Sequence, residues 1–340
     1  MINKKILITG GAGYVGSTLI GQCLKLGMKV RCLDLLYYGK KSLKDYLDNK
    51  NFELVIGDIR DENVLEKSLI DIDFVVHLAA LVGDQPCLAA PELAYQINYI
   101  GTKKIIEVSK KKKIKKFIFA STCSNYGISS DKQLANENSE LNPVSLYAET
   151  KIDCEKLISE IDDKDLNCFI LRFATAFGVS KRTRFDLTIN SFSYEAIKKK
   201  NLFIFGENTW RPYIHVMDMS IYILKFILSD NSNEIKNKNS IFNTGFTQEN
   251  FTKKNLINFI LKYLPNTKIH YSNNVEDKRN YRVNFKKIEK LFELKPTINV
   301  QKGIEEIIEF INTNENIDKL FKSSNLEAIN SFFSKKNNLL

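Results

Sequence analysis

Histidine is scarce in this 340-residue chain: there are 3, His77, His215 and His270, and no two stand at a ligand spacing. That argues against a zinc centre, and no metal is expected. The 6 cysteines (Cys23, Cys32, Cys87, Cys123, Cys154 and Cys168) contain no CxxC pair and no pairing rhythm. Most fall inside apolar patterns, as buried free thiols of a reducing compartment do. Long hydrophobic runs are missing too. The longest, "YIHVMDMSIYILKFIL" at 213–228, holds His215, Asp218 and Lys225, and is too short and too polar to span a bilayer. The opening "MINKKILITGG" enters a strand at once and has no cleavable apolar core. Internal repeats are absent as well. Together these absences lead us to expect a soluble, metal-free, cytoplasmic protein without membrane insertion.

Charge is present in excess of one sign. Lys and Arg number 50 against 40 Asp and Glu, a net charge of +10. The lysines are spread along the chain, and the densest run, "KKKKIKKF" at 110–117, sits between a helical pattern and the apolar "FIFA", where a solvated turn belongs. An anionic small molecule or a generally basic surface accounts for this balance, so no nucleic-acid partner is expected.

The length and apolar content support one large or two smaller cores. Short apolar runs ("KKILITG", "KVRCLDL", "FELVIGD", "DFVVHLAA", "KKFIFAST", "NCFILRFA") alternate with helical patterns near 14–27, 62–70, 92–110 and 145–161. That alternation predicts an α/β fold, a doubly wound parallel sheet with helices on both faces. After residue 177 the rhythm breaks. "NLFIFGEN" reads as a short strand, 213–228 as a helix, "SIFNTG" as one more sheet strand, and 272–283 as a polar link. The expected division is a dinucleotide domain over 1–177 and 213–248, an interleaved smaller substrate domain over 178–212 and 249–325, and a frayed tail over 326–340.

"ILITGGAGYVGSTLI" follows a strand and opens a helix. Gly11, Gly13 and Gly16 satisfy GxGxxG, and Gly10, Gly13 and Gly16 the wider GxxGxxG. Such glycines allow a tight turn and close backbone approach, so that a pyrophosphate can sit on the helix N-terminus beside Tyr14 and Val15. Asp34 ends the next strand, where adenosine ribose hydroxyls would lie. It disfavours a 2′-phosphate and so favours NAD, although Lys40 and Lys41 nearby keep NADP open. Asp58, with Ile59 beside it, is placed to meet the adenine edge or else to cap a helix. Leu78, Ala79 and Ala80 end the fourth strand, at the edge where such sheets bind ligands.

"SLYAETK" sets Tyr147 and Lys151 one helical turn apart and on one face. An ammonium near a phenol favours the phenolate, so the pair predicts a proton acceptor usable near neutral pH. The strand before this helix ends in Ser121, Thr122, Cys123 and Ser124.

With "TGGAGYVG", "HLAA", "FASTCSNYG", "YAETK" and "RPYIHVMD" in this order, the chain resembles the extended short-chain dehydrogenase/reductases, and among them the nucleotide-sugar epimerases and dehydratases. The resemblance covers roughly residues 4–310. It implies a Rossmann-type fold, NAD as cofactor and a nucleotide-diphosphate sugar as substrate. It makes Thr122 the hydroxyl that holds the substrate oxygen, Tyr147 the base, and Lys151 the group that binds the nicotinamide ribose and lowers the Tyr147 pKa; Ser121 and Ser124 are substitutes for Thr122. Members that dehydrate carry an Asp-Glu pair after the Thr, where this chain has Cys123 and Ser124, so dehydration is disfavoured.

A 4-epimerase is therefore expected, with a 4-dehydrogenase or ketoreductase needing the same residues. A non-catalytic dinucleotide- or RNA-binding protein on the same fold has no need of them. Arg211 matches the family's diphosphate arginine, although Pro212 replaces the usual acid after it. Arg182 and Arg184 add donors suited to phosphate, and Arg279 is a further diphosphate candidate. Asp186 could accept from a guanine edge, which raises a GDP-sugar against the UDP-sugar default. "LVGDQPC" resembles a branch that includes GDP-heptose enzymes. The resemblance also implies a homodimer through the helices around 92–110 and 145–161.

Overall fold

The computed structural model describes residues 4–128, 133–161, 166–229, 240–272, 279–322, 324–328 and 330–331. Elements follow in chain order: β1 (Lys5–Thr9), α1 (Tyr14–Lys25), β2 (Lys29–Asp34), β3 (Phe52–Ile56), α2 (Glu62–Ser68), β4 (Phe74–His77), α3 (Asp84–Ala89) and α4 (Pro91–Tyr95). One π-helical turn, Gln96–Ile100, leads into α5 (Gly101–Lys111), then come β5 (Lys116–Thr122), α6 (Leu146–Ser159), β6 (Asn167–Phe173), β7 (Thr175–Phe177), α7 (Thr188–Lys198), β8 (Asn201–Phe205), β9 (Trp210–His215) and α8 (Val216–Leu228). The chain continues through β10 (Ser240–Thr244), β11 (Asn250–Thr252), α9 (Lys253–Tyr263), β12 (Lys268–Ser272), α10 (Lys286–Phe292), α11 (Val300–Thr313) and α12 (Ile317–Lys322).

Seven of the strands form one parallel sheet in the order β10-β6-β5-β4-β1-β2-β3. The order reverses between β1 and β4, and in such sheets the ligand crevice opens at the carboxyl ends of the strands flanking that reversal. The strands are apolar on both faces because helices cover both: β1 reads one intermediate position and then four buried ones. One core cluster gathers Ile6, Ile8, Leu19 and Phe226 on one face, and another gathers Leu7, Ile105, Phe117 and Ile158 on the other.

A separate core, with Phe177, Ile189, Leu202, Tyr213, Ile257 and Ile304, is built from α7, α9, α11 and two small sheets, β11-β9-β7 and β12-β8. Tyr281, Val283, Phe285 and Ile288 pack with the sheet core instead, although the first two stand at the end of what reads as a polar link. The helix predicted over 213–228 is a strand up to His215 and a helix only from Val216, because Trp210–His215 pairs with β7 and β11.

The lysine run at 110–117 is not wholly a solvated turn. Lys116 is 8% exposed, and its ammonium donates to the carbonyls of Phe226 and Ile227 at the end of α8. That is a cation where last-turn carbonyls lack partners. All 6 cysteines are buried and free. Among the described residues no helix is long and apolar enough to cross a membrane.

Candidate active site

A cleft of about 620 Å³ opens over the carboxyl ends of β1, β2, β4 and β5, and the candidate site residues of the sequence line its wall, Gly11 and Cys123 excepted. The glycine turn forms its floor. Gly10 has φ +70°, and a Cβ there would lie 2.7 Å from the Ala79 amide nitrogen. A Cβ on Gly16 would lie 2.6 Å from the Gly11 Cα, so only glycine lets α1 start so close to the turn. Gly13 caps α1 without a side-chain bond, and the first turn of α1 carries no acid. These backbone donors suit a pyrophosphate, and the cradle has no room for side chains.

Asp34 faces this turn. Its Oδ2 accepts from the Ala12 amide at 2.9 Å and its Oδ1 from the Leu36 amide at 2.7 Å. Each oxygen retains acceptor capacity for a ribose hydroxyl. Burial pushes the carboxyl above its ordinary value. Tyr14 contributes backbone only, since its hydroxyl donates to the Gly178 carbonyl at 2.8 Å. Asp58 is clamped by Arg60, at 3.0 Å from Nε to Oδ1 and 2.6 Å from Nη2 to Oδ2, and Asp61 caps α2 in its place. The alternative of Asp58 as a helix cap is thereby corrected. Val15, Ile59, Leu78, Ala79 and Ala80 supply the apolar lining.

Tyr147 and Lys151 come from α6, whose first turn is capped by Ser145. The Lys151 ammonium donates to the Ala120 carbonyl at 2.8 Å and lies 4.6 Å from the Phe119 ring centroid and 5.9 Å from that of Tyr147. Burial pushes the Lys151 pKa down to about 8. Burial also raises the Tyr147 pKa well above its ordinary value, and the main opposing charge is Arg184. With no dinucleotide present, desolvation of the phenolate outweighs the opposing Arg184 charge.

The three hydroxyls at the end of β5 now separate. Ser121 is buried and donates to Glu155, while Thr122 Oγ1 accepts the Ser124 amide at 3.1 Å and keeps its proton available. Ser124 shares a hydrogen bond with the Tyr281 hydroxyl at 3.3 Å. Cys123 points away from the cleft floor into the core, its thiol 3.1 Å from the Arg172 carbonyl, and burial raises its pKa.

Guanidinium groups make up a further part of the wall. Arg184 forms a fork with Asp186, at 3.0 and 2.8 Å. Arg279 pairs with Asp84 of α3 at 3.0 Å. Arg211 is buried, donates to the carbonyls of Trp210 and Arg279, and lies 5.0 Å from the Tyr281 ring centroid. Arg182 stacks 3.5 Å over Tyr38.

Sequence reasoning passed over the residues that hold this arrangement in place. Asn98, in the π-helical turn, accepts from the Leu81 amide at 2.7 Å and donates to Leu81 O and Thr150 Oγ1, both at 3.1 Å. It thus ties the loop after β4 to α6. Glu155, one turn beyond Lys151, makes a buried fork with Arg172 of β6, with contacts of 3.0 and 2.6 Å. A signal was there: polar residues on an otherwise buried helix stripe and strand.

The description "NAD dependent epimerase/dehydratase family" matches residues 6–245. A putative UDP-glucose 4-epimerase of Methanocaldococcus jannaschii is 28% identical over 91% of this chain and 99% of its own length. A dTDP-D-glucose 4,6-dehydratase of Dictyostelium discoideum is 33% identical, over 63% of this chain and 54% of its own length. Among solved structures, a UDP-glucuronic acid 4-epimerase from Bacillus cereus, in complex with UDP-glucuronic acid and NAD, superposes with TM-score 0.80 at 26% identity, covering 91% of this chain and 99% of its own. The glycine cradle, the seven-stranded sheet and these likenesses agree: this chain belongs to the NAD-dependent epimerase/dehydratase family.

Proposed function

We propose that the protein is an NAD-dependent nucleotide-sugar epimerase acting by transient oxidation at sugar C4. The observation that carries this reading is the single cleft whose wall joins the glycine turn and Asp34 to Thr122, Tyr147 and Lys151. NAD held by the glycine turn and Asp34 would supply both the hydride acceptor and, in reduced form, the hydride donor. The Thr122 hydroxyl holds the substrate oxygen. Tyr147 takes the proton of the C4 hydroxyl and gives it back to the other epimer. Lys151 holds the ribose and, with the positive nicotinamide, offsets the desolvation that otherwise keeps Tyr147 a phenol.

Two observations narrow the reaction and the substrate. Elimination of water at C5–C6 calls for acid–base groups where Cys123 and Ser124 stand, and Cys123 is fully buried with a raised pKa; this favours epimerisation over dehydration. A solved neighbour at 26% identity holds UDP-glucuronic acid, which favours a uridine diphosphate sugar over the guanine edge that Asp186, forked with Arg184, could meet. Arg182, Arg184, Arg211 and Arg279 are the proposed diphosphate wall.

The test is a panel of UDP-, GDP- and dTDP-sugars followed by NMR, with NADH absorbance recorded alongside. Conversion of a UDP-sugar to its C4 epimer without net NADH is expected. NADH accumulating in step with product would assign a 4-dehydrogenase instead. The same reading includes a homodimer through α4–α5 and α6, where Tyr95 is 42% exposed and stacks on Tyr99. Light scattering giving a monomer mass would remove that part.

A further inference from the structure

Residues 324–328, just after α12, are built into the cleft. Their root is fixed: Phe321 stacks on Tyr194 with ring centroids 3.8 Å apart, and Asp318 accepts the Tyr194 hydroxyl at 2.8 Å. Beyond it the chain makes one more turn, in which the Ser324 hydroxyl accepts the Glu327 amide at 3.2 Å and the Ser324 carbonyl the Ala328 amide at 3.1 Å. That turn brings Ser324, Asn325 and Leu326 into the wall of the cleft that holds the glycine turn.

Asn325 is 2% exposed, and both ends of its amide are engaged. Its nitrogen donates to the Val82 carbonyl at 3.0 Å, in the loop after β4. Its oxygen accepts from Arg182 at 2.7 Å, in the loop after β7. Arg182 in turn lies on Tyr38, in the loop after β2 and close to Asp34. One side chain near the C-terminus therefore joins three loops that surround the cleft. A primary amide buried with donor and acceptor both satisfied is a specified position, since losing one partner leaves the other group desolvated and unpaired.

We propose that residues 324–328 are a latch that closes over the bound dinucleotide, with Asn325 as the positioning residue that holds it shut. The proposal rests on the reading of the cleft as an NAD site. Neither Asn325 nor Leu326 is assigned a part in the chemistry; the latch acts on cofactor exchange. Retention suits a reaction that needs one cofactor molecule for both half-reactions, because a carrier lost between them strands a keto sugar. Opening requires Asn325 to leave both Val82 and Arg182, while the anchored α12 keeps the segment near its seat.

The experiment loads the full-length protein with NADH, chases with excess NAD, and follows release by fluorescence in a stopped-flow instrument. Asn325→Ala should release NADH about tenfold faster, the scale set by losing roughly one net hydrogen bond and unpairing its partners. A chain ending at residue 323 should release it at least as fast. With saturating NAD and sugar nucleotide, any loss of kcat in Asn325→Ala should be smaller than its gain in release rate. Asn325→Asp keeps the acceptor for Arg182 and should restore part of the retention.

A merely structural role would instead lower the melting temperature of the unliganded protein and leave release unchanged. That result in Asn325→Ala overturns the latch even if the shortened chain does not fold. A shortened chain that binds NADH faster with unchanged release marks the segment as an entry barrier, and also overturns it. Failure of the unaltered protein to bind either dinucleotide overturns the NAD reading itself, before any variant is made.

Discussion

The two walls of the cleft are built from different materials. The glycine-turn wall is backbone: Gly10 seated against Ala79, Gly16 against Gly11, and a helix start without a side-chain cap. The other is guanidinium, and each group already holds a partner: Arg184 with Asp186, Arg279 with Asp84, Arg211 with two carbonyls, Arg182 with Tyr38 and Asn325. A backbone cradle is formed before its ligand arrives and has little to rearrange. A wall of paired cations must share or exchange partners when an anion enters. Cofactor affinity should therefore depend on shape, and substrate affinity on charge and salt.

Substitutions can break or sharpen that contrast. The largest effect is expected where the walls meet. Tyr147→Phe should lower kcat by about 10³-fold, within the span of general-base losses, while NAD affinity measured by calorimetry is unchanged. Unreduced turnover would remove Tyr147 as the base.

Next comes Lys151, whose pKa falls from 10.5 unfolded to about 8 in the fold. Between those pH values Lys151 binds more protons in the unfolded chain than in the fold, so its own contribution to the stability of the unliganded protein grows as pH rises from 8 to 10.5, against the buried cysteines and tyrosines, whose raised pKa values act the other way. The full gain is of order 3 kcal/mol. Urea melts of the protein and of Lys151→Met across that range isolate this contribution: the parent should gain stability relative to the variant as pH rises.

On the backbone wall, Gly10→Ala places a Cβ at positive φ against Ala79 and should weaken NAD binding roughly 50-fold, with little dependence on salt. On the cation wall, Arg184→Ala should raise the sugar-nucleotide KM about tenfold, lose part of the salt dependence, and leave NAD affinity alone. If both substitutions changed cofactor and substrate binding alike, the distinction between the walls would not hold.

What the sequence made legible follows the same line. Motifs whose parts are close along the chain could be read directly: the glycine turn, Asp34 one strand later, and Tyr147 with Lys151. The alternation of strands and helices likewise implied a parallel sheet. Pairings across long separations could not be read, because composition says nothing of who meets whom. Arg172 sits in an apolar strand and Glu155 on a helix 17 residues before it, and only the fold shows them locked together beneath Ser121. Asn98 and Asn325 are of the same kind. Tyr147 also shows a limit of adjacency: Lys151 is a near neighbour, yet burial, a property of the whole fold, sets the direction of the pKa shift.

That shift gives the most direct test. Ultraviolet titration of the protein against its Tyr147→Phe variant isolates one phenol, with and without saturating NAD. Without dinucleotide, Tyr147 should stay protonated through pH 10, the ordinary tyrosine value, and with NAD bound it should ionise near neutrality. A phenolate below pH 10 in the free protein, or no change on adding NAD, would contradict a base that is made by its cofactor.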